Sequence, residues 1–177
     1  MLKDGFVPLR NAQQSSNLTL YGCRGNKCTA DRAIDNDQST SAITRRSSLA
    51  WWTAELTRAA KISMIIFSTS EFAFGEGNFK NFKVETRLSP LGPWKICKGE
   101  HAMQRPVFNH VVQCENPMSA RYIRLSVRSE NPSTKGQGLT LNEVRVKEIP
   151  QGEKVLSMEN FLSMETFALK LTAIFIS

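Results

Sequence analysis

Three aspartates fall close together at Asp31, Asp35 and Asp37, with Asn36 and Ser39 among them. Carboxylate, carboxamide and hydroxyl oxygens at this density suit a hard cation such as calcium better than a transition metal. The pattern is not an EF-hand. Counted from Asp35, Thr40 stands where that loop needs its invariant glycine, and Arg46 where it needs a bidentate glutamate. Taken locally, the same residues also describe a solvated acidic turn in which Asp35 caps backbone N–H groups, and local sequence favours this second reading.

A second constellation is Cys97-x3-His101 followed by His110-x3-Cys114, a mirror-image pair of spacings that invites zinc. Pro106 lies between the halves, and the two cysteines flank what reads as a hairpin. A cross-strand disulfide with two incidental histidines is the better account. Catalysis finds little footing. No G-x-S-x-G, H-E-x-x-H or phosphate-cradling glycine loop is present. Glu71 and Glu76 read as exposed loop charges, and the chain is expected not to be an enzyme.

The elements that must position these groups are short strands. Trp51-Trp52-Thr53-Ala54-Glu55-Leu56 reads as a core strand entered through two aromatics. Residues 61–67 are nearly all apolar, as in a strand covered on both faces. Phe82 and Val84 alternate with Lys83 and Glu85. Ile123, Leu125 and Val127 alternate with Arg124, Ser126 and Arg128. Further strands are expected over residues 17–21, 94–97, 107–112 and 139–147. Pro90-Leu91-Gly92-Pro93, Asn116-Pro117 and Asn131-Pro132 mark turns, and Thr29 could cap one helical turn that faces Ala33 and Ile34 inward. Seven or eight strands without a long helical period predict an all-β, antiparallel jelly-roll sandwich over residues 17–149. Residues 1–16 read as a polar lead-in. Residues 150–177 form a tail, helical or disordered, that is too polar to span a membrane.

Lys and Arg outnumber Asp and Glu by 23 to 16, with the excess between Asn11 and Ile149. Such a balance favours acidic partners, sulfated or sialylated glycans and anionic lipid among them, although many secreted domains are mildly basic without one. The basic residues are scattered over predicted strands, which argues against nucleic acid. Four cysteines predict two disulfides, Cys23–Cys28 pinning a short turn and Cys97–Cys114 bridging the hairpin. Asn17-Leu18-Thr19 is a glycosylation sequon and fits an extracellular or cell-surface setting. Met1-Leu2-Lys3-Asp4-Gly5 holds no apolar signal-peptide core, so the N-terminus is expected to be incomplete.

In order along the chain, Asn17-Leu18-Thr19-Leu20-Tyr21-Gly22, Ala33-Ile34-Asp35, Trp51 to Leu56, Lys80-Asn81-Phe82-Lys83-Val84, Ala120-Arg121-Tyr122-Ile123-Arg124-Leu125 and Leu139-Thr140-Leu141-Asn142-Glu143-Val144-Arg145-Val146 together resemble the F-type lectin (fucolectin) branch of the discoidin-like, galactose-binding-like sandwich. The resemblance implies a non-enzymatic recognition module that binds glycans or glycoproteins and carries a structural calcium. Its side-chain ligands would be Asp35 and Glu143, with backbone carbonyls from Arg32, Asp37 and Asn142. Cys97 and Cys114 match one of the family's disulfides.

Two departures bear on function. The family's second disulfide, between the loop before the double Trp and the position before the final-strand Glu, has neither partner here; the latter position is Asn142. The family's fucose site uses a loop His and an Arg-x-Asp…Arg set, often beside a vicinal Cys pair. None of these occurs over residues 39–49 or 68–78. Arg45, Arg46 and Asn78 lie in loops that could substitute, and a planar Arg fork is what would grip vicinal hydroxyls. The expectation is therefore an extracellular, calcium-stabilised carbohydrate-recognition or adhesion domain with an altered sugar site. Its rivals are an interaction domain that has lost sugar binding, and a membrane-surface binder docking through Phe72 and Phe74.

Overall fold

A computed structural model describes residues 5–18, 28–69, 82–101, 109–129 and 138–149. Among these residues nine strands are assigned in chain order: β1 Phe6–Val7, β2 Leu9–Gln14, β3 Ala42–Ile43, β4 Leu49–Ser68, β5 Phe82–Arg87, β6 Lys95–His101, β7 His110–Arg128, β8 Thr140–Leu141 and β9 Glu143–Glu148. All their pairings are antiparallel. The main sheet runs β1-β9-β4-β7-β5-β6, with β2 joined to β4, and β3 pairs β8 separately.

The sandwich arises from two long strands. β4 and β7 pair along their whole length, but the register breaks between Glu55 and Ala60. Before the break β4 is flanked by β2; after it, by β9. The side chains of both halves meet in one core that includes Trp52, Leu56, Ile62, Ile65 and Phe67. The expected strands over 51–56 and 61–67 are thus one bent strand shared by both layers. Each large side chain buried here contributes roughly 1.5–3 kcal/mol. Phe67 and Phe82 meet with ring centroids 5.1 Å apart, and Trp52 donates its indole N–H to the Ala30 carbonyl at 2.9 Å.

Several expectations need correction. The supposed lead-in contains β1 and β2, which pair with β9 and β4. Val7 is buried and Leu9 and Ala12 pack against the core, but these few apolar residues, interrupted by Pro8 and a polar run, are too short a stretch to show an alternation. Asn116-Pro117 does not turn the chain. It lies within β7, in the stretch between Gln113 and Met118 where pairing with β4 slips; a bulge tolerates a residue with no N–H. Thr29 precedes a 3-10 turn at Ala30–Ala33 without any side-chain cap. Ala33 is buried there, but Ile34 only partly. Of the strand expected over 17–21, the described part makes one bridge, Leu18 to Cys28. The Asn131-Pro132 turn and the tail at 150–177 lie outside the described residues.

Cys97 and Cys114 are bonded, joining β6 to β7. Closing a loop of this length is worth about 3 kcal/mol by the chain-entropy estimate. The bond also removes the zinc reading, since neither sulfur is a free thiolate. Cys28 is disulfide-bonded as well; its expected partner Cys23 lies outside the described residues.

Candidate functional site

The chain leaves the 3-10 turn and doubles back on its own polar side chains. Asp35 Oδ1 accepts the Asp37 N–H at 3.0 Å. Asp37 Oδ1 accepts the N–H and hydroxyl of Ser39 at 2.9 and 2.6 Å. Asn36 takes a left-handed backbone, φ 60°, which Asn tolerates better than most residues. So far this is the self-capped turn that local sequence favoured.

Thr40 changes the picture. Its Oγ1 lies 3.2 Å from the Arg32 carbonyl oxygen, 2.8 Å from Asp35 Oδ2 and 3.1 Å from the Asp37 carbonyl oxygen. A hydroxyl has one proton to give, so three acceptors converge on a single donor. Arg32 Nη1 is 3.9 Å from Asp35 Oδ2, at the limit of an ion pair.

β9 brings Glu143 to the same place. It is 7% exposed and accepts hydrogen bonds from the backbone N–H groups of Asn36 and Val144. Its Oε2 is buried with no partner among the described residues. Burial first, then the nearby Asp35 charge, push its carboxyl up to about 7. Glu143 is out of water beside Asp35, whose side chain is 28% exposed; Arg145 offsets the two negative charges only in part, which favours a further cation between them. The donors are all oxygen, and among the described residues no three His, Cys, Asp or Glu side chains are placed to hold a metal ion together. A cation here would therefore draw on backbone carbonyls as well as Asp35 and Glu143.

Asn142 occupies the position where the F-type lectins carry their second disulfide. Its Nδ2 reaches the carbonyls of Gln38 and Thr40 at 3.0 and 3.1 Å, and Ser41 Oγ at 3.1 Å. The early loop and the last strand are thus tied by a carboxamide instead of sulfur. Asn142 Oδ1 is buried and without a hydrogen-bond partner among the described residues.

Arg45 and Arg46 follow β3 and are exposed. The segment that carries them is pinned: Thr44 donates its N–H to the Leu139 carbonyl, and Thr44 Oγ1 accepts the Leu139 N–H. Gly138 lies so close that a Cβ would come within 3.0 Å of the Thr44 carbonyl oxygen. Asn78, Phe72 and Phe74 lie outside the described residues. Asn17 is exposed, but Gln14 donates to its Oδ1 at 2.9 Å, and Thr19 of the sequon lies outside the described residues.

Sequence reasoning missed a charged network on the outer face of the main sheet. Register sets Arg10, Glu55, Tyr122 and Arg87 side by side across four strands, and Gln13, Thr53, Arg124 and Glu85 across the same four. Glu55 accepts from Arg10 at 2.8 Å, Asn11 at 2.7 Å and Arg121 at 2.7 Å. These donors, Arg10 foremost, hold its carboxyl down at about 2. Arg124 pairs with Glu85 at 2.8 Å. Lys83, Glu85, Arg124 and Arg128 were legible as outward-facing from alternation, but which of them would meet was not.

Fold and site define the class: an antiparallel sandwich of the discoidin-like, galactose-binding-like type. The F5/8 type C domain model matches residues 11–141, and the chain belongs to that family. Its fold is shared by the CpGH89CBM32-5 module from Clostridium perfringens, in complex with GalNAc-β-1,3-galactose: TM-score 0.65, 16% identity, covering 80% of this chain and 99% of that one. A Streptococcus pneumoniae fucose-binding module, SpX-3, gives 0.59 and 18%, with 84% and 99% covered. The lectin domain of lectinolysin complexed with Lewis B antigen gives 0.57 and 21%, with 79% and 93% covered. No curated protein sequence matches the chain.

Proposed function

We propose that this domain is an extracellular carbohydrate-recognition or adhesion module, non-catalytic, whose loop end is clasped by a structural calcium ion. The observation that carries the glycan reading is the fold likeness across most of the chain to two modules solved in complex with GalNAc-β-1,3-galactose or Lewis B antigen and to a fucose-binding module. Arg45 and Arg46, exposed on a pinned segment, are the ligand-binding residues within the described part of the loop end. The disulfide at Cys97–Cys114 and the bonded Cys28 suit an oxidising compartment.

The calcium reading rests on the oxygen surplus at Thr40 and on the buried Glu143 carboxylate beside Asp35. Asp35 and Glu143 would hold the ion by side chain, and Arg32, Asp37 and Asn142 by their carbonyls. Calcium would supply charge neutralisation and a cross-link from the early loop to β9, which stabilises the loops rather than taking part in chemistry. Thr40 Oγ1 and Asn142 hold the loop in place for it.

A glycan array run beside anionic liposomes tests ligand class. Binding to a defined set of glycans, weakened in an Arg45→Ala/Arg46→Ala double variant, is expected. Silence on the array overturns the glycan reading. Liposome binding without glycan binding would replace it with the membrane-surface one, and silence on both with the interaction-domain one.

A further inference from the structure

The outer face of the main sheet holds a cleft of about 400 Å³, lined among others by Asn11, Gln13, Thr53, Glu55, Arg87 and Tyr122. Its wall is made by a bulge. Arg10 pairs with Glu55 and Gln13 with Thr53, so one extra residue enters β2 between them. Asn11, at φ 51°, turns its carboxamide onto Glu55. A bulge re-aims side chains that a regular strand would alternate.

The charges around this cleft do not balance. Arg10, Arg121 and Asn11 all donate to Glu55, and Arg124 is taken by Glu85. Arg87 is left over. Its guanidinium carbon lies 4.4 Å from the Trp94 ring centroid and 5.1 Å from that of Tyr122. These rings orient the guanidinium but offer it no acceptor oxygen. Among the described residues its Nε is buried without a hydrogen-bond partner, and it makes no ion pair. A partly buried guanidinium placed over two rings, one of them shared with Arg124, is oriented to meet a carboxylate through its fork.

We propose that this cleft is a binding site for an acidic saccharide, separate from the loop end, in which Arg87 grips the carboxylate of a uronic or sialic acid. The rest of the lining fits hydroxyls. Gln13 is exposed at the rim, Thr53 Oγ1 gives its proton to the Ile123 carbonyl and keeps its lone pairs as an acceptor, and Asn11 keeps its carbonyl oxygen as an acceptor. The Tyr122 ring offers an apolar surface to a sugar face. The volume lies in the range of small-ligand sites. An acidic peptide fits less well. Strands β4, β7 and β5 are paired on both sides under the cleft, so its floor offers no open edge for an added strand.

The test is calorimetric titration of the whole domain with digalacturonate and sialyllactose, against neutral lactose and a short oligoglutamate. Binding of at least one acidic sugar, with none of lactose at this site, is expected. Arg87→Gln should abolish it, and Arg87→Lys should weaken it roughly tenfold by removing the fork. Gln13→Glu, at the exposed rim where folding is not at stake, should weaken it through charge repulsion. The Arg45→Ala/Arg46→Ala variant should leave it unchanged, which separates this site from the loop end. No acidic-sugar binding by the unaltered domain, unchanged affinity in Arg87→Gln and Gln13→Glu, or equal affinity for oligoglutamate would each overturn the proposal.

Discussion

Around Thr40, acceptor oxygens outnumber the protons available to them; on the outer sheet face, the guanidiniums of Arg10, Arg87, Arg121 and Arg124 outnumber the carboxylates of Glu55 and Glu85. The first region is built from loop backbone and one buried carboxylate, and is short of a cation. The second is built from side chains in register on paired strands, and is short of an anion. A backbone cluster stays where the loop is tied, so Asn142 and Trp52 must hold it. A side-chain network on a sheet inherits its rigidity from the strands. The contrast implies that damage to the core should cost the loop end more than the sheet face.

Trp52 makes the sharpest cut. It is fully buried and donates to the Ala30 carbonyl next to the acidic turn. Trp52→Ala should lose about 3–5 kcal/mol in denaturant unfolding, and Trp52→Phe distinctly less, while still loosening the loop end. Asn142→Ala removes the carboxamide tie to Gln38, Thr40 and Ser41. It should cost about 1–2 kcal/mol and increase amide exchange over residues 35–41, with exchange in β5 and β7 unchanged. Equal increases in both regions would erase the contrast.

The smallest expected effect belongs to the sheet face. Glu55 has a depressed carboxyl, so its contribution to stability is complete above about 4.5 and is lost as pH falls towards about 2. Glu55→Gln should therefore flatten the acid limb of the stability profile in that window. It should leave stability at higher pH lower than in the unaltered protein. An acid limb of unchanged slope would remove the network from the account.

How much of this was legible depended on distance along the chain. Alternation at Ile123, Leu125 and Val127 gave β7 its inward face, and the cysteine spacing gave the Cys97–Cys114 bond. β1 and β2 were hidden because their few core-facing residues, Val7, Leu9 and Ala12, lie in a stretch too short and polar to show an alternation. Asp35 and Glu143 could be paired only through the order of family motifs, since no local signal joins a turn to the last strand. Arg87 stood just past the expected strand, which ended at Thr86, and is the last residue of the observed β5. Its neighbours Tyr122 and Glu55 come beside it only through register across three strands, which a sequence read locally does not contain. Asn142 was read as the loss of a cysteine, and its replacement bonds required the fold.

Thermal unfolding with added calcium and with chelator, for the unaltered domain and for Glu143→Gln, tests the clasp most directly. A ligand present at a hundredfold its Kd stabilises by about 2.7 kcal/mol, which for a domain of this size is a rise in Tm of about 5–10 °C. That rise is expected in the unaltered protein and should vanish in Glu143→Gln, which in chelator should melt no lower, because a buried like charge beside Asp35 has been removed. A midpoint indifferent to calcium, or a rise that survives Glu143→Gln intact, would contradict the account.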